Sequence, residues 1–354
     1  MQIALTNKNI SKHTLTILLM LGLFSVLFLS SLAIGSVTVS PFDIVLVFAQ
    51  KLGIVSGIDE MKELVLINIR LPRLLLTVSV GAALGISGAA LQGLFRNPLV
   101  EPGIIGVSSG AALGAIFVIM FMGTVAPALL EVSRTFIMPL FAFLGGGLAT
   151  VFTLKLSKFE GKTQITYLIL AGVAITSLAG AAIGLAIFYA DDAQLRSYTF
   201  WTLGDLSSAT WEKLNILLPL IGIACTGLIT MSRSLNAIAL GESEAFHSGV
   251  SVEKVKLLTV LFSAMAVGVS VAFTGIIGFV GLVVPHIIRI SFTSDHTLVL
   301  PCSAIGGACL LLLADIFART IVIPAELPIG VVTAVIGTPF FIYLLISSKK
   351  KRLI

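Results

Sequence analysis

The stretch RLPRLLLTVSVGAALGISGAALQGLFRNPLVEPGIIGVSSGAALG, residues 70–114, decides what kind of molecule this is. Two apolar, glycine-rich runs of helical length flank a polar hinge from Gln92 to Pro102, which carries Arg96, Asn97, Pro98 and Glu101. Irregular polar backbone beside membrane helices survives only where protein buries it or where it lines a wet cavity. A lipid anchor has no use for such a hinge; a solute pathway does.

Outward from that block the chain stays apolar. Of 354 residues, 57% are hydrophobic and 11% charged, and the mean hydropathy is +1.10, far from the composition of soluble domains. Each bilayer crossing takes about 20 apolar residues. The sequence therefore predicts an all-α, polytopic membrane protein of about ten transmembrane helices. They fall near 14–35, 72–91, 104–122, 137–156, 164–188, 214–232, 255–275, 278–292, 299–318 and 328–347. The eighth is short and contains Pro285, so it is expected to be broken or partly inserted. The first run follows Lys8, Lys12 and His13 but lacks an A-x-A cleavage site, so it reads as a retained span.

An even number of spans puts both termini on one side. Placing them in the cytoplasm leaves 14 basic residues inside, Lys349, Lys350, Lys351 and Arg352 among them, against 8 outside, as the positive-inside tendency requires. The net charge of +5 then reflects topology and implies no nucleic-acid partner. No soluble domain separates from the rest, so residues 1–354 read as one transmembrane domain. The connections 36–69, 189–213 and 233–254 are the longest, and the first has room for a short surface helix.

Several motif strings fail on context. Gly161-Lys162-Thr163 has Leu156 where a phosphate-binding loop needs glycine. Gly106-Val107-Ser108-Ser109-Gly110 spells a nucleophile elbow but opens a membrane helix instead of following a strand. His13, His247, His286 and His296 are scattered, and Cys225, Cys302 and Cys309 lie far apart in apolar runs. Neither a metal site nor an enzyme is expected. Span centres lack the Asp, Glu and His chains of an ion-coupled secondary transporter, which leaves that class the weaker alternative.

What remains is sparse and placed at span ends. Asp315 and Arg319 stand at i, i+4 on one helix face. Arg70 and Arg73 bracket Pro72 at the outer start of span two. With Arg319 they make either an outer positive rim for an acidic partner or a set of snorkelling side chains. Glycines bound a short cytoplasmic helix in Leu240–Val250, with Glu242 and Glu244 at its N-terminal end, where the helix dipole favours them. Glycines spaced by four (Gly81 and Gly85; Gly106, Gly110 and Gly114; Gly180 and Gly184) predict close helix packing.

The hinge block LQGLFRNPLVEPGIIGVSSGAALG (91–114) resembles the signature region of the FecCD-type permeases, the membrane subunits of bacterial ABC importers for iron-siderophores, haem and cobalamin. RLPR (70–73), LGESEAFHSGV (240–250), GFVGLVVPHIIR (278–289) and LADIFARTIVIPAELPIGVVTAVIGTPFFIYLL (313–345) agree in order and spacing. The resemblance implies a permease of the bacterial inner membrane that works by alternating access as a homodimer. Two cytosolic ABC ATPase subunits, which hold the ATP and Mg, would sit below it, and an extracytoplasmic solute-binding protein above. It further implies a pathway wall and gate from Gln92, Arg96, Asn97, Pro98, Ser108 and Ser109. ATPase coupling would fall to Gly241, Glu242, Glu244, Ala245 and Gly249, and binding-protein docking to Arg70, Arg73 and Arg319. The chain itself would bind no cofactor. Phe246, His247 and Ser248 depart from the family's coupling pattern, in which a leucine stands at the last of these. TFWTLGDL (199–206) and the hinge look closest to the haem branch, with ferric siderophore or cobalamin as the other cargoes. Arg196 could meet haem propionates or pair with Asp191 or Asp192.

Overall fold

The computed structural model describes residues 2–35, 37, 39–54, 59–122 and 127–352. The side chains of Lys8, Lys12, His13 and Lys349–Arg352, on which the positive-inside argument leans, lie outside the described residues. The first helix, α1 (Gln2–Ala33), is followed by two short helices in the first long connection, α2 (Pro41–Lys51) and α3 (Glu60–Leu64). A π-helical turn, Val65–Arg70, joins α3 to α4 (Leu71–Phe95) without a break. Then come α5 (Val107–Phe117), α6 (Pro127–Leu156), α7 (Ile165–Phe188), α8 (Asp192–Leu203) and α9 (Trp211–Thr230). The chain ends with α10 (Ser232–Leu240), α11 (Glu242–His247), α12 (Val252–Thr274), α13 (Val280–Ser291), α14 (His296–Thr320) and α15 (Ile329–Arg352).

Seven of the described helical stretches are long and apolar enough to cross a bilayer, and three shorter apolar helices lie at Val107–Met122, Val280–Ser291 and Ile329–Ile342. Together they fall on the ten expected segments. The eighth is short, but not through Pro285, which lies inside an unbroken α13; it is short because backbone from Gly275 to Phe279 is non-helical before α13 begins.

Three local readings change. Helix α4 continues to Phe95, so Gln92 belongs to its last turn and the hinge proper starts at Arg96. The segment 189–213 is no plain connection. Asp191 accepts from Gln194 N–H while the Gln194 side chain accepts from Asp191 N–H, and this reciprocal cap starts α8. Gly161 lies in the turn of a hairpin whose two-residue strands pair Lys158 with Thr163 and Phe159 with Lys162, so Gly161-Lys162-Thr163 belongs to a hairpin and not to a phosphate loop.

Small residues set the packing. A Cβ on Gly85 would stand 2.1 Å from Ser303 O, and one on Gly81 2.5 Å from Gly307 O. Helices α4 and α14 therefore touch backbone to backbone. Gly110 and Gly114 do the same against Gly145 O and Phe141 O, joining α5 to α6. Gly180 and Gly184 differ: nothing lies within 4 Å of either built Cβ, so the third spacing packs against nothing within the described chain. One apolar core, including Leu76, Leu91, Leu217 and Leu311, connects these helices.

Candidate functional site

The hinge is built by a helix that stops and a loop that is tied down. Arg96 takes φ 50, the left-handed turn that closes α4, and its N–H reaches back to Gly93 O at 3.3 Å. Arg96, Asn97 and Pro98 are exposed. Asn97 Oδ1 accepts from Leu99 N–H at 3.0 Å, holding the turn. Gln92 does not join them on a solvent-facing wall. It is 2% exposed, and its Nε2 sits 3.2–3.3 Å from the carbonyls of Val100, Gly281 and Leu282. The side chain thus staples the hinge to the start of α13, and its Oε1 is left without a partner.

A second tie comes from Glu101, whose Oε1 accepts from Phe279 N–H at 3.2 Å. Phe279 has φ 67 and precedes the first turn of α13. Ser109 Oγ donates to Gly106 O at 3.0 Å and lies 3.1 Å from Thr176 Oγ1. Its partners among the described residues are Gly106 and Thr176, neither of them a base that could activate a nucleophile. Ser108, one residue earlier, is half-buried.

At the end of the bundle that carries the 240–250 segment, Gly241 has φ 138 and Gly249 φ 85, positions that favour glycine, and they bound α11 as the sequence suggested. Ala245 is fully buried, while Phe246 is 70% and Leu240 80% exposed. Glu242 Oε2 meets Lys256 Nζ at 2.8 Å, and Lys256 also reaches Glu253 Oε1 at 3.2 Å and Thr163 O at 2.8 Å. One buried ammonium therefore fixes α11, the foot of α12 and the small ladder to each other. Glu244 is exposed and makes no ion pair among the described residues. The Glu253-x-x-Lys256 spacing was the sequence signal for this lysine, and the sequence reading passed over it.

Beside α11, the Asn236 side chain of α10 accepts through Oδ1 from His296 N–H at 2.9 Å and lies 2.7 Å from His296 Nδ1. Its Nδ2 donates to Asp295 Oδ1 at 2.6 Å. Burial pushes the Asp295 carboxyl up, but the bonds from Asn236 and Thr297 outweigh it and hold it below the usual range. No sequence spacing announced this group, since Asn236 and His296 are 60 residues apart.

The opposite end holds the three arginines, and none is a free positive rim. Arg70 is 5% exposed and donates to Leu32 O, Ala33 O and Val37 O. Arg73 binds Asp315 Oδ1 at 2.8 Å and Glu326 Oε2 at 2.8 Å. Arg319 donates to Ile34 O and Ser31 O, each at 2.9 Å. Its Nε lies 3.2 Å from Asp315 Oδ2, an ion contact without hydrogen-bond alignment. The expected Asp315–Arg319 pair is present, with Arg73 as an unforeseen third member.

A cleft of about 740 Å³ opens beside this cluster, lined by Arg73, Glu326, Asp205, Lys213 and Trp201 among others. Burial raises the Asp205 carboxyl, yet hydrogen bonds from Ser207 and Ser208 bring it below its ordinary value. Arg196 is exposed on α8 and forms no ion pair with Asp191 or Asp192 among the described residues. Asp191 is instead spent on the helix cap. Among the described residues no group of three or more His, Cys, Asp or Glu lies together as a metal site.

The chain matches the FecCD transport family over residues 23–347. It is 42% identical over 334 residues to the hemin transport system permease protein HmuU of Yersinia pestis, covering 94% of this chain and 97% of that one. It is 38% identical over 335 residues to the vitamin B12 import system permease protein BtuC of Vibrio vulnificus, covering 94% of each. Among solved structures, an ABC transporter assigned to the metal-chelate type, in an inward-facing conformation, superposes with a TM-score of 0.77. It shares 34% identity, and the match covers 93% of this chain and 97% of that one.

Proposed function

Since this chain belongs to the FecCD transport family, a multi-pass permease of an ABC importer, we propose that it carries haem across the bacterial inner membrane. In this reading two copies of the chain flank one pathway, two cytosolic ATPase subunits hydrolyse ATP beneath them, and an extracytoplasmic binding protein delivers the cargo. The chain performs no chemistry of its own.

The observation that carries the reading is the asymmetry of the 240–250 segment. A six-residue helix shows Phe246 outward, with Leu240 exposed at the end of α10 just before it, while Lys256 fixes its foot to α12. An apolar knob on a rigid foot fits a partner that pushes, because force on a loose loop would be lost in the loop. The charged groups that are buried stand at helix ends and have partners, as Arg70, Lys256 and Asp315 do. That distribution supports an ATP-driven permease over an ion-coupled carrier, which needs titratable groups along its path.

Haem is preferred because the relative whose name carries hemin is 42% identical across nearly the whole chain. Cobalamin is the second reading, from relatives at 38%, and a ferric siderophore the third. The test is uptake by proteoliposomes holding the complete complex with its binding protein. Hemin should accumulate with ATP and not without it, and cobalamin or ferrichrome should not compete. Cobalamin accumulation without hemin accumulation would overturn the cargo. Uptake driven by an ion gradient in the absence of nucleotide would overturn the class.

A further inference from the structure

The group at the foot of α14 holds more than a helix cap needs. Asn236 already satisfies the His296 backbone N–H, one of the orphan donors of a first helical turn. The same Oδ1 also meets His296 Nδ1 at 2.7 Å. An amide oxygen only accepts, so the ring proton sits on Nδ1 and Nε2 carries a lone pair. That lone pair faces Arg289, whose Nη1 and Nη2 lie 3.4 and 3.3 Å away. Arg289 Nη2 donates onward to Ala89 O of α4 at 3.0 Å, one turn before Gln92. A Cβ on Gly93 would lie 2.2 Å from His296 Nε2, so the ring rests directly against the last turn of α4.

Asn236 stands four residues before Leu240, the residue that opens the cytosolic knob. Gln92 is the residue that staples the hinge. From Asn236 a series of polar contacts crosses α10, α14 and α13 and ends on the Ala89 carbonyl of α4, from which the helix backbone itself runs one turn to Gln92. The series is also unfinished. Arg289 meets no carboxylate among the described residues, and its Nε is buried with no acceptor. A half-buried guanidinium held by a lone pair and a carbonyl is a poor static solution. It is a reasonable one for a group that exchanges partners between two arrangements.

We propose that Asn236, His296 and Arg289 are positioning residues that relay movement of the ATPase-facing helix α11 to the Gln92–Glu101 hinge. The relay rests on the reading of 240–250 as the ATPase contact. Spatial continuity by itself does not establish coupling, so the test measures coupling directly.

The complete complex, carrying Leu99→Cys as an exposed reporter in the hinge, is labelled with a maleimide in the presence and absence of ATP plus vanadate. With the relay intact, ATP should change the labelling rate at least fivefold. Asn236→Leu and Arg289→Met break opposite ends of the series. Each should reduce the ATP-dependent change to less than twofold while the partner subunits continue to hydrolyse ATP. Links in series fail together, so the double variant should lose no more than either single one. His296→Asn reaches only the Nδ1 position and His296→Gln only the Nε2 position. Each keeps one link, and both should uncouple. Losses that add in the double variant, or an ATP response kept by Asn236→Leu or by both His296 variants, would overturn the relay. If Asn236→Leu fails to assemble, the two His296 variants decide alone. A wild-type complex whose hinge does not respond to ATP overturns the permease reading, and the relay with it.

Discussion

The two ends of this bundle hold similar polar side chains and use them in opposite ways. At one end Arg73, Asp315, Arg319 and Glu326 form a closed set, in which each guanidinium has a carboxylate or a pair of carbonyls and the central acid is 1% exposed. At the other end Asn236, Asp295, His296 and Arg289 form an open series whose cation, Arg289, has no counter-charge among the described residues. The closed set joins α4 to α14, helices that a glycine seam already welds. The open series crosses α10, α14, α13 and α4, and its last link runs beside a glycine contact of the same kind, where a Cβ on Gly88 would meet Gly281 O at 1.8 Å. What separates the two ends is counter-charge: Arg73 and Arg319 each have a carboxylate within 3.2 Å, and Arg289 has none among the described residues.

Three substitutions would break or sharpen that contrast. The largest effect belongs to Asp315→Ala, which strands two guanidiniums in a site that is nearly dry. Removing one partner of a buried ion pair costs about 3–5 kcal/mol, so the purified protein should lose well over ten degrees of melting temperature or fail to accumulate. A variant with unchanged melting and full activity would show that the closed set is not structural. Next is Gly93→Ala, whose Cβ must push the His296 ring aside. Overpacking of this kind costs about 1–3 kcal/mol, and ATP-dependent hinge movement should fall further than stability does. Equal losses in both would assign the histidine to packing. The smallest effect belongs to Glu326→Gln. Its side chain is 41% exposed, and solvent-screened pairs contribute less than about 1 kcal/mol, so a melting shift of a degree or two is expected. A loss near that of Asp315→Ala would mean that the cluster depends on its rim as well as on its centre.

How much of this was legible in the sequence follows from the range of each interaction. The apolar segments, the glycine-bounded α11 and the Asp315–Arg319 pair all depend on residues within a few turns, and each was readable, whereas the break expected at Pro285 falls before the helix, at Gly275–Phe279. Arg73 pairs with Asp315 across 242 positions, and His296 meets Arg289 only because two helices meet; no spacing encodes that. Arg70, Arg73 and Arg319 were expected to face outward as a docking rim, yet their donors are taken up inside the protein. A guanidinium near a helix end looks the same in sequence whether it snorkels or staples. Gln92 was misplaced for a related reason, since hydropathy flags a glutamine as polar and cannot tell that three carbonyls enclose it. The helix Asp192–Leu203 has its sequence signal in the Asp191 and Gln194 cap, a signal that apolar periodicity does not carry.

The seam between α4 and α14 has a mechanical consequence. Backbones in direct contact at Gly81, Gly85 and Gly307 cannot slide past one another without collision, but they can tilt about that point. The continuous helical stretch Glu60–Phe95 is 36 residues long. At about 1.5 Å per residue, roughly 21 Å of it lies on the hinge side of Gly81 and roughly 31 Å on the other. A helix pivoting there is a lever with unequal arms. A displacement of about 1 Å beside Arg96 would reappear as roughly 1.5 Å at Glu60, in the opposite direction, with the Gly88–Gly281 contact on the shorter arm as the brake.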